Sequence, residues 1–174
     1  RAGSIGKAAV FSFNGNKIIT TSGGGAIVTD DEGIAQRARK RSTQSRENVS
    51  WYEHTEVGFN YRMSNIVAAI GIGQIKRLPE ILAKKSLIAE RYDFFLSKKK
   101  GISFLPHVAG ENNWLNVILL KSSEMRDEAL ERLSVADIEA RHLWKPLHLQ
   151  PVFSESDFIG KGICEDYFNR GLCL

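Results

Sequence analysis

A chain of 174 residues with 43% hydrophobic and 25% charged side chains carries enough apolar material for one globular domain or parts of two. No apolar run approaches the ~18 residues of a membrane span, and the start lacks a signal-peptide pattern. The formal charge of +4 is mild; it suits an anionic small molecule, and no binding motif or aromatic residue interleaved with the bases argues for nucleic acid.

Residues 8–13 and 25–29 read as buried strands, short, rich in β-branched, aromatic or small residues and bounded by turn formers. Between them Asn14-Gly15-Asn16 turns the chain and Thr20-Thr21-Ser22-Gly23-Gly24 brings it back, with Lys17 on the connection. Lysines ordinarily lie at the surface. One held between two apolar segments is placed where a desolvated amine acts as a nucleophile. Asp30-Asp31-Glu32 opens a helix that closes with Arg37, Arg39, Lys40 and Arg41, acids at its positive end and bases at its negative end, which accounts for the basic cluster without a nucleic acid. Residues 42–56 are polar without period and read as a long loop, a kind of segment that is often functional. Ser64 or Asn65 caps the next helix, in which Val67, Ile70, Ile75, Leu78 and Leu82 recur at helical spacing. Gly71 and Gly73 cost helix propensity, and close backbone packing is the expected reason for both.

Pro79 interrupts that helix and starts another, whose apolar stripe of Ile81, Ile88, Tyr92 and Phe95 runs to the stop Lys98-Lys99-Lys100-Gly101. The interruption is the candidate boundary between a domain over residues 1–80 and another over 81–174. The second alternates strand and helix: strands at 102–105 and 114–120, a helix at 124–133, a strand at 138–142 and a helix at 157–169, an α/β layer with helices on a small sheet. His142 is expected to be packed and hydrogen-bonded, and Trp114 and Trp144 to line core or pocket. Cys164 and Cys173 have no companion Cys or His at metal-ligand spacing and read as reduced thiols of a cytoplasmic protein, with a disulfide between them as the alternative and with no metal site.

Two runs carry a resemblance. The first is Phe11-Ser12-Phe13, a short turn, Lys17, and Gly23 onward to Thr29; the second, some forty residues later, is Gly58-Phe59-Asn60-Tyr61-Arg62-Met63-Ser64. In this order they are similar to the DegT/DnrJ/EryC1/StrS family of pyridoxal-phosphate-dependent sugar aminotransferases, a branch of the fold-type I aminotransferases. There a Phe-Ser-Phe strand leads to the cofactor-binding lysine and a Gly-Gly strand, and a Gly-Tyr-Asn-Tyr-Arg-(apolar)-Ser run follows. The resemblance continues through Ala68-Ala69-Ile70-Gly71, Gln74 and Leu78 to Pro146-Leu147-His148-Leu149-Gln150-Pro151. Family members are about twice as long, so it implies a C-terminal fragment: Arg1-Ala2-Gly3-Ser4 is similar to the middle of a member, and Arg170 to Leu174 stops before a final helix. The implied fold is α/β, the remnant of a large cofactor-binding domain followed by a small α/β domain incomplete at its end.

The resemblance also implies roles. Lys17 would hold pyridoxal 5'-phosphate and move a proton between the amino donor and the cofactor. Ser12 matches a hydroxyl on the cofactor phosphate, where a strand serine otherwise only packs. Asn60 matches an asparagine that reaches the neighbouring subunit's cofactor, which implies a homodimer with shared sites; the plain reading is a turn asparagine folding its own loop. His148 matches a position that faces the nucleotide-sugar, and Arg62 either binds substrate or pairs with a carboxylate. The implied reaction transfers an amino group, from glutamate, to a keto-sugar on a nucleoside diphosphate. Ser22-Gly23-Gly24-Gly25 departs from the family's Gly-Glu-Gly-Gly, and Phe59 replaces a tyrosine. The family's upstream cofactor contacts have no counterpart in this sequence, so the chain alone is expected to hold the cofactor weakly and not to transaminate. A keto-sugar dehydratase of the same family would carry histidine in place of Lys17, which argues against it. A non-catalytic regulatory or dimerisation module with the same fold is the alternative from another class.

Overall fold

Turn residues and helix caps punctuate the computed structural model, which describes residues 3–174. What was read from Arg1 and Ala2 lies outside the described residues. The chain divides into two compact units, Arg1–Ile81 and Leu82–Leu174.

In the first unit β1 (Ala9–Ser12) pairs antiparallel with β2 (Gly25–Val28), Ala9 opposite Val28 and Ser12 opposite Gly25. The strands form where expected but are not buried: Val10, Phe11, Ile27 and Val28 are all exposed. A two-stranded ribbon satisfies its own inner hydrogen bonds but cannot cover both of its faces. Helix α1 (Glu32–Ser42) starts at Asp31, whose Oδ1 accepts the Ile34 N–H at 3.1 Å, and ends on Arg39, Lys40 and Arg41. Helix α2 (Asn65–Lys76) is capped by Ser64, whose Oγ accepts the Val67 N–H at 3.3 Å. Its isoleucines at 66, 70, 72 and 75 are all exposed, so the apolar stripe is a band around the helix rather than one buried face. A Cβ at Gly71 would lie 3.0 Å from Thr21 Cγ2, the close approach expected of it; Gly73 faces open space, and packing is not its reason. Helix α3 (Leu78–Leu96) takes Pro79 into its first turn, where no intrahelical N–H is lost.

The second unit is built on an antiparallel sheet in the order β3-β4-β6-β5, from β3 (Ile102–Phe104), β4 (Val117–Leu120), β5 (Arg141–His142) and β6 (Gly171–Cys173). Helices α4 (Ser123–Val135) and α5 (Ile163–Arg170) pack on it. Its core is Ile118, Leu120 and Leu172, with Leu96, Ile102, Phe104, Met125 and Leu130 against them. Strand β6, beside β4 in the middle of the sheet, was not foreseen: three residues are too few to show a period. Strand β4 starts at Val117, after Asn113 turns left-handed at φ 47°. Helix α5 starts at Ile163 rather than 157, after Gly162 at φ 74°. His142 is exposed on its short strand, not packed; its ring lies 6.3 Å from that of Phe168. Arg126, buried on α4, donates from one nitrogen to the Phe168 carbonyl at 3.1 Å and to the Asn169 carbonyl, satisfying the last turn of α5. Both cysteines are free, and burial pushes the Cys173 thiol upward against the opposing pull of Arg141. Among the described residues no helix is long and apolar enough to cross a membrane.

Candidate functional site

Lys17 stands half-buried on the connection between β1 and β2, in a turn closed by its own N–H to the Asn14 carbonyl at 3.1 Å. The neck of that connection is hydrogen-bonded across: Phe13 N–H to Gly24 O at 3.0 Å and Thr21 N–H to Phe13 O at 2.9 Å. Thr20 adds its hydroxyl to the Phe13 carbonyl at 3.2 Å and its N–H to Gln74 of α2 at 3.5 Å. Thr21 is fully buried beneath, and Gly24 takes left-handed backbone at φ 87°, with Met63 Cε 2.7 Å from where a Cβ would stand. The lysine is therefore carried on a braced loop. Ser12 lies at the end of β1 on the same connection, and its Oγ accepts the Asn14 N–H at 3.3 Å. That bond uses a lone pair only, so the Ser12 O–H remains able to donate.

Asn60 and Arg62 sit together on a second segment. The region 43–62 has no helix or strand among the described residues, as a long loop should, yet it is knotted by specific bonds. Thr43 bridges Asn60 and Arg46 bridges His54. Phe59 N–H donates to Arg41 O at 2.7 Å, and Tyr61 and Arg62 donate to Ser42 O at 2.9 and 3.1 Å. Gln44 and Ser45 both take left-handed backbone, φ 65° and 52°, and Ser45 is fully buried. Such strain persists only where the surroundings over-determine it. Gly58 supplies the reason: a Cβ there would overlap the Gln44 carbonyl carbon and the Ser45 nitrogen. The rings of Phe59 and Tyr61 stack at 5.1 Å, presenting Asn60 between them in sequence. Arg62 is exposed, and no carboxylate pairs with it among the described residues.

Electrostatics brace the same loop. Lys40 Nζ lies 2.7 Å from Glu47 and 3.8 Å from Glu56, which also meets Arg41 at 3.6 Å. The Lys40 hydrogen bond, helped by one from Thr55, holds Glu47 below the usual carboxylate range, and Lys40 is raised in return. Most of the bases at the end of α1 are thus answered by glutamates of this chain.

His148 belongs to the second unit, on the short 3-10 turn Leu147–Leu149 after Pro146. Its Nε2 lies 2.7 Å from Glu165 Oε1 on α5, and the Phe158 ring stacks on it at 3.6 Å. Neither partner was foreseen; a Glu seventeen residues away carries no local pattern. The same unit holds a cavity of 330 Å³ lined in part by Trp114 and Trp144, whose rings are 6.0 Å apart, with His107, Asp93 and Glu111 at its wall. His107 bonds both carboxylates, to Asp93 at 3.1 Å through Nε2 and to Glu111 through Nδ1.

As a donor set, the Lys17 amine and the Ser12 hydroxyl on one braced loop suit an aldehyde and a phosphate, the reactive groups of pyridoxal phosphate. They fit it along one edge. Asn60 offers a further amide whose side chain is unengaged among the described residues.

The sequence profile of the DegT/DnrJ/EryC1/StrS aminotransferase family matches residues 1–174. EpsN of Bacillus subtilis (strain 168), assigned as a pyridoxal phosphate-dependent aminotransferase, is 43% identical over 100% of this chain and 46% of its own length. GDP-perosamine synthase of Caulobacter vibrioides is 37% identical over 88% of this chain and 43% of its own. The crystal structure of the aminotransferase TlmJ from Streptoalloteichus hindustanus matches with a TM-score of 0.90 at 29% identity, covering 99% of this chain and 47% of that one. The chain spans about half the length of the curated relatives it matches. With the profile matched from the first residue to the last, the chain belongs to the DegT/DnrJ/EryC1/StrS aminotransferase family.

Proposed function

We propose that this chain is the C-terminal part of a cytoplasmic, pyridoxal-phosphate-dependent aminotransferase that moves an amino group from glutamate to a keto-sugar carried on a nucleoside diphosphate. Residues 1–80 then belong to the large cofactor-binding domain and 81–174 to a small domain. The observation that carries the reading is Lys17, on a hydrogen-bonded hairpin connection with Ser12 at its base, in a chain that matches the family profile over its whole length.

Bound there, the cofactor supplies an electron sink for the carbon that loses or gains the amino group. The chain's own residues do the rest. Lys17 would hold the cofactor's aldehyde end with its amine and, once displaced by the amino donor, would carry the proton between the donor's α-carbon and the cofactor's C4′. Ser12 donates its O–H to the phosphate, and the Asn14 N–H on its oxygen fixes the direction of that donation. Asn60 is read as reaching the phosphate of a second subunit's cofactor, which makes the enzyme a homodimer with shared sites, held in place by the Gly58–Ser45 knot. His148 and Arg62 contact the nucleotide-sugar. Ser12 and Lys17 contact one edge of the cofactor only, and Asn60 serves that of a second subunit, so the 174-residue chain by itself binds it weakly and does not turn over.

In the full-length protein, Lys17→Ala is expected to abolish the near-ultraviolet to visible absorbance of the lysine-bound cofactor together with turnover. Retention of both removes Lys17 from this role. Absence of any cofactor absorbance in the unaltered full-length protein would favour the non-catalytic module instead.

A further inference from the structure

We infer that Glu165 is a positioning residue for His148, fixing the imidazole that meets the keto-sugar acceptor; this rests on the reading of His148 as substrate-facing. The two side chains are mostly covered, 17% and 26% exposed, and 2.7 Å apart. An ionised carboxylate has only acceptors, so Nε2 carries the hydrogen and donates, which leaves Nδ1 as the ring atom presented to a ligand. Phe158, stacked at 3.6 Å and 20°, sets the plane of the ring.

The supports of the two partners differ. His148 rides a three-residue 3-10 turn with no side-chain cap, between the exposed Leu147 and Leu149. Glu165 rides α5, whose C-terminal carbonyls are held by Arg126 and whose Arg170 donates to the Leu120 carbonyl of β4 at 3.2 Å while pairing with Asp166. The hydrogen bond therefore ties a turn held by its own short-range backbone bonds to a helix fastened on the core strand. The other carboxylate oxygen, Oε2, is buried with no hydrogen-bond partner among the described residues. A glutamate placed only to hold two segments together would gain from satisfying both oxygens. A buried polar atom left unpaired is a cost that calls for a reason of its own, a functional role being one such reason.

The test uses the full-length enzyme loaded with cofactor. In Glu165→Ala the KM for the keto-sugar is expected to rise about tenfold, the order of one hydrogen bond to a charged group, while conversion of the cofactor by the amino donor stays within about twofold of wild type. Glu165→Gln, which keeps an acceptor oxygen, is expected to restore KM to within about threefold. By NMR, a His148 ring N–H resonance protected from exchange is expected in the wild type and in Glu165→Gln and absent in Glu165→Ala. Should the alanine variant fail to fold, Glu165→Met, of similar length and without an acceptor, takes its place. If His148→Asn raises KM and the Glu165 variants do not, the positioning role is overturned and the reading of His148 stands. If His148→Asn leaves KM unchanged, the reading fails and the positioning role with it.

Discussion

The two units solve the problem of cohesion in opposite ways. In Leu82–Leu174 the innermost residues are apolar and lie on adjacent strands, with Leu172 1% and Leu120 2% exposed. In Arg1–Ile81 the buried residues among those described are Thr21 and Ser45, both polar and both in loops. One unit is held by side chains removed from water, the other by hydrogen-bonded turns that carry Lys17 and Asn60. The comparison teaches where the reading of function is vulnerable: Lys17 sits in the unit whose ribbon and whose α2 isoleucines are only partly covered, whereas the support of His148 lies in the unit with a core. An amphipathic or fully apolar helix acquires stability chiefly by packing.

The largest expected effect comes from cutting into the core. Leu172→Ala should destabilise the second unit by about 3 kcal/mol, within the range for a buried leucine that leaves a cavity, read as the shift of the urea midpoint of the 174-residue chain. The matched change in the first unit, Ile70→Ala on α2, should cost less than about 0.5 kcal/mol because that side chain is half exposed. Equal costs for the two would erase the distinction between the units.

A smaller effect tests whether the first unit is in fact held by its turns. Gly58→Ala forces a methyl group into the backbone of Gln44 and Ser45, and the overpacking should cost about 1–3 kcal/mol. Hydrogen exchange should then quicken at Gln44 and Phe59, whose backbone groups bond one another at 2.9 Å, and stay unchanged at Leu119 and Leu172. Spread of the effect into β4 and β6 would show that the units unfold together.

Legibility in the sequence followed the range of the interactions. Caps, turns and strands of the first unit could be read because Ser64, Asp31 and the glycines act on residues three or four positions away. The place of Lys17 on the connection between β1 and β2 could be read for the same reason, its surroundings being contiguous in the chain. The burial of β1 and β2 could not, because an apolar strand states what it would bury against a partner and not whether the partner is there. Strand β6, the Gly58 contact with Gln44, and the His148–Glu165 bond all join residues distant in sequence, and Gly73 shows the converse error, a glycine given a packing reason that its surroundings do not supply.

The smallest expected effect is electrostatic and separates the units by pH. Chiefly its bond to Glu111, and then that to Asp93, raise His107 above its ordinary 6.5, and the same bond to His107, with a further one from the Val108 N–H, lowers Glu111 below its ordinary 4.5. A raised histidine contributes stability that is complete below the unfolded value and is lost as pH rises through the folded one. A lowered glutamate contributes stability that is complete above its unfolded value and is lost as pH falls through the folded one. Both contributions are whole between about 4.5 and 6.5. His107→Gln should accordingly cost the second unit most in that window and progressively less above it, by a small amount because the histidine is more than half exposed and screened. In the first unit the resolved shifts are those of Glu47, lowered, and Lys40, raised from 10.5. By the same sign rule that pair loses stability only in acid below the carboxylate range or in strong base. Stability curves taken from pH 5 to 8 should then show the His107 contribution in the signal of the second unit, with the Lys40–Glu47 pair contributing none, and a titration of that pair within this interval would mean that the loop bearing Asn60 is held by something other than the bonds described.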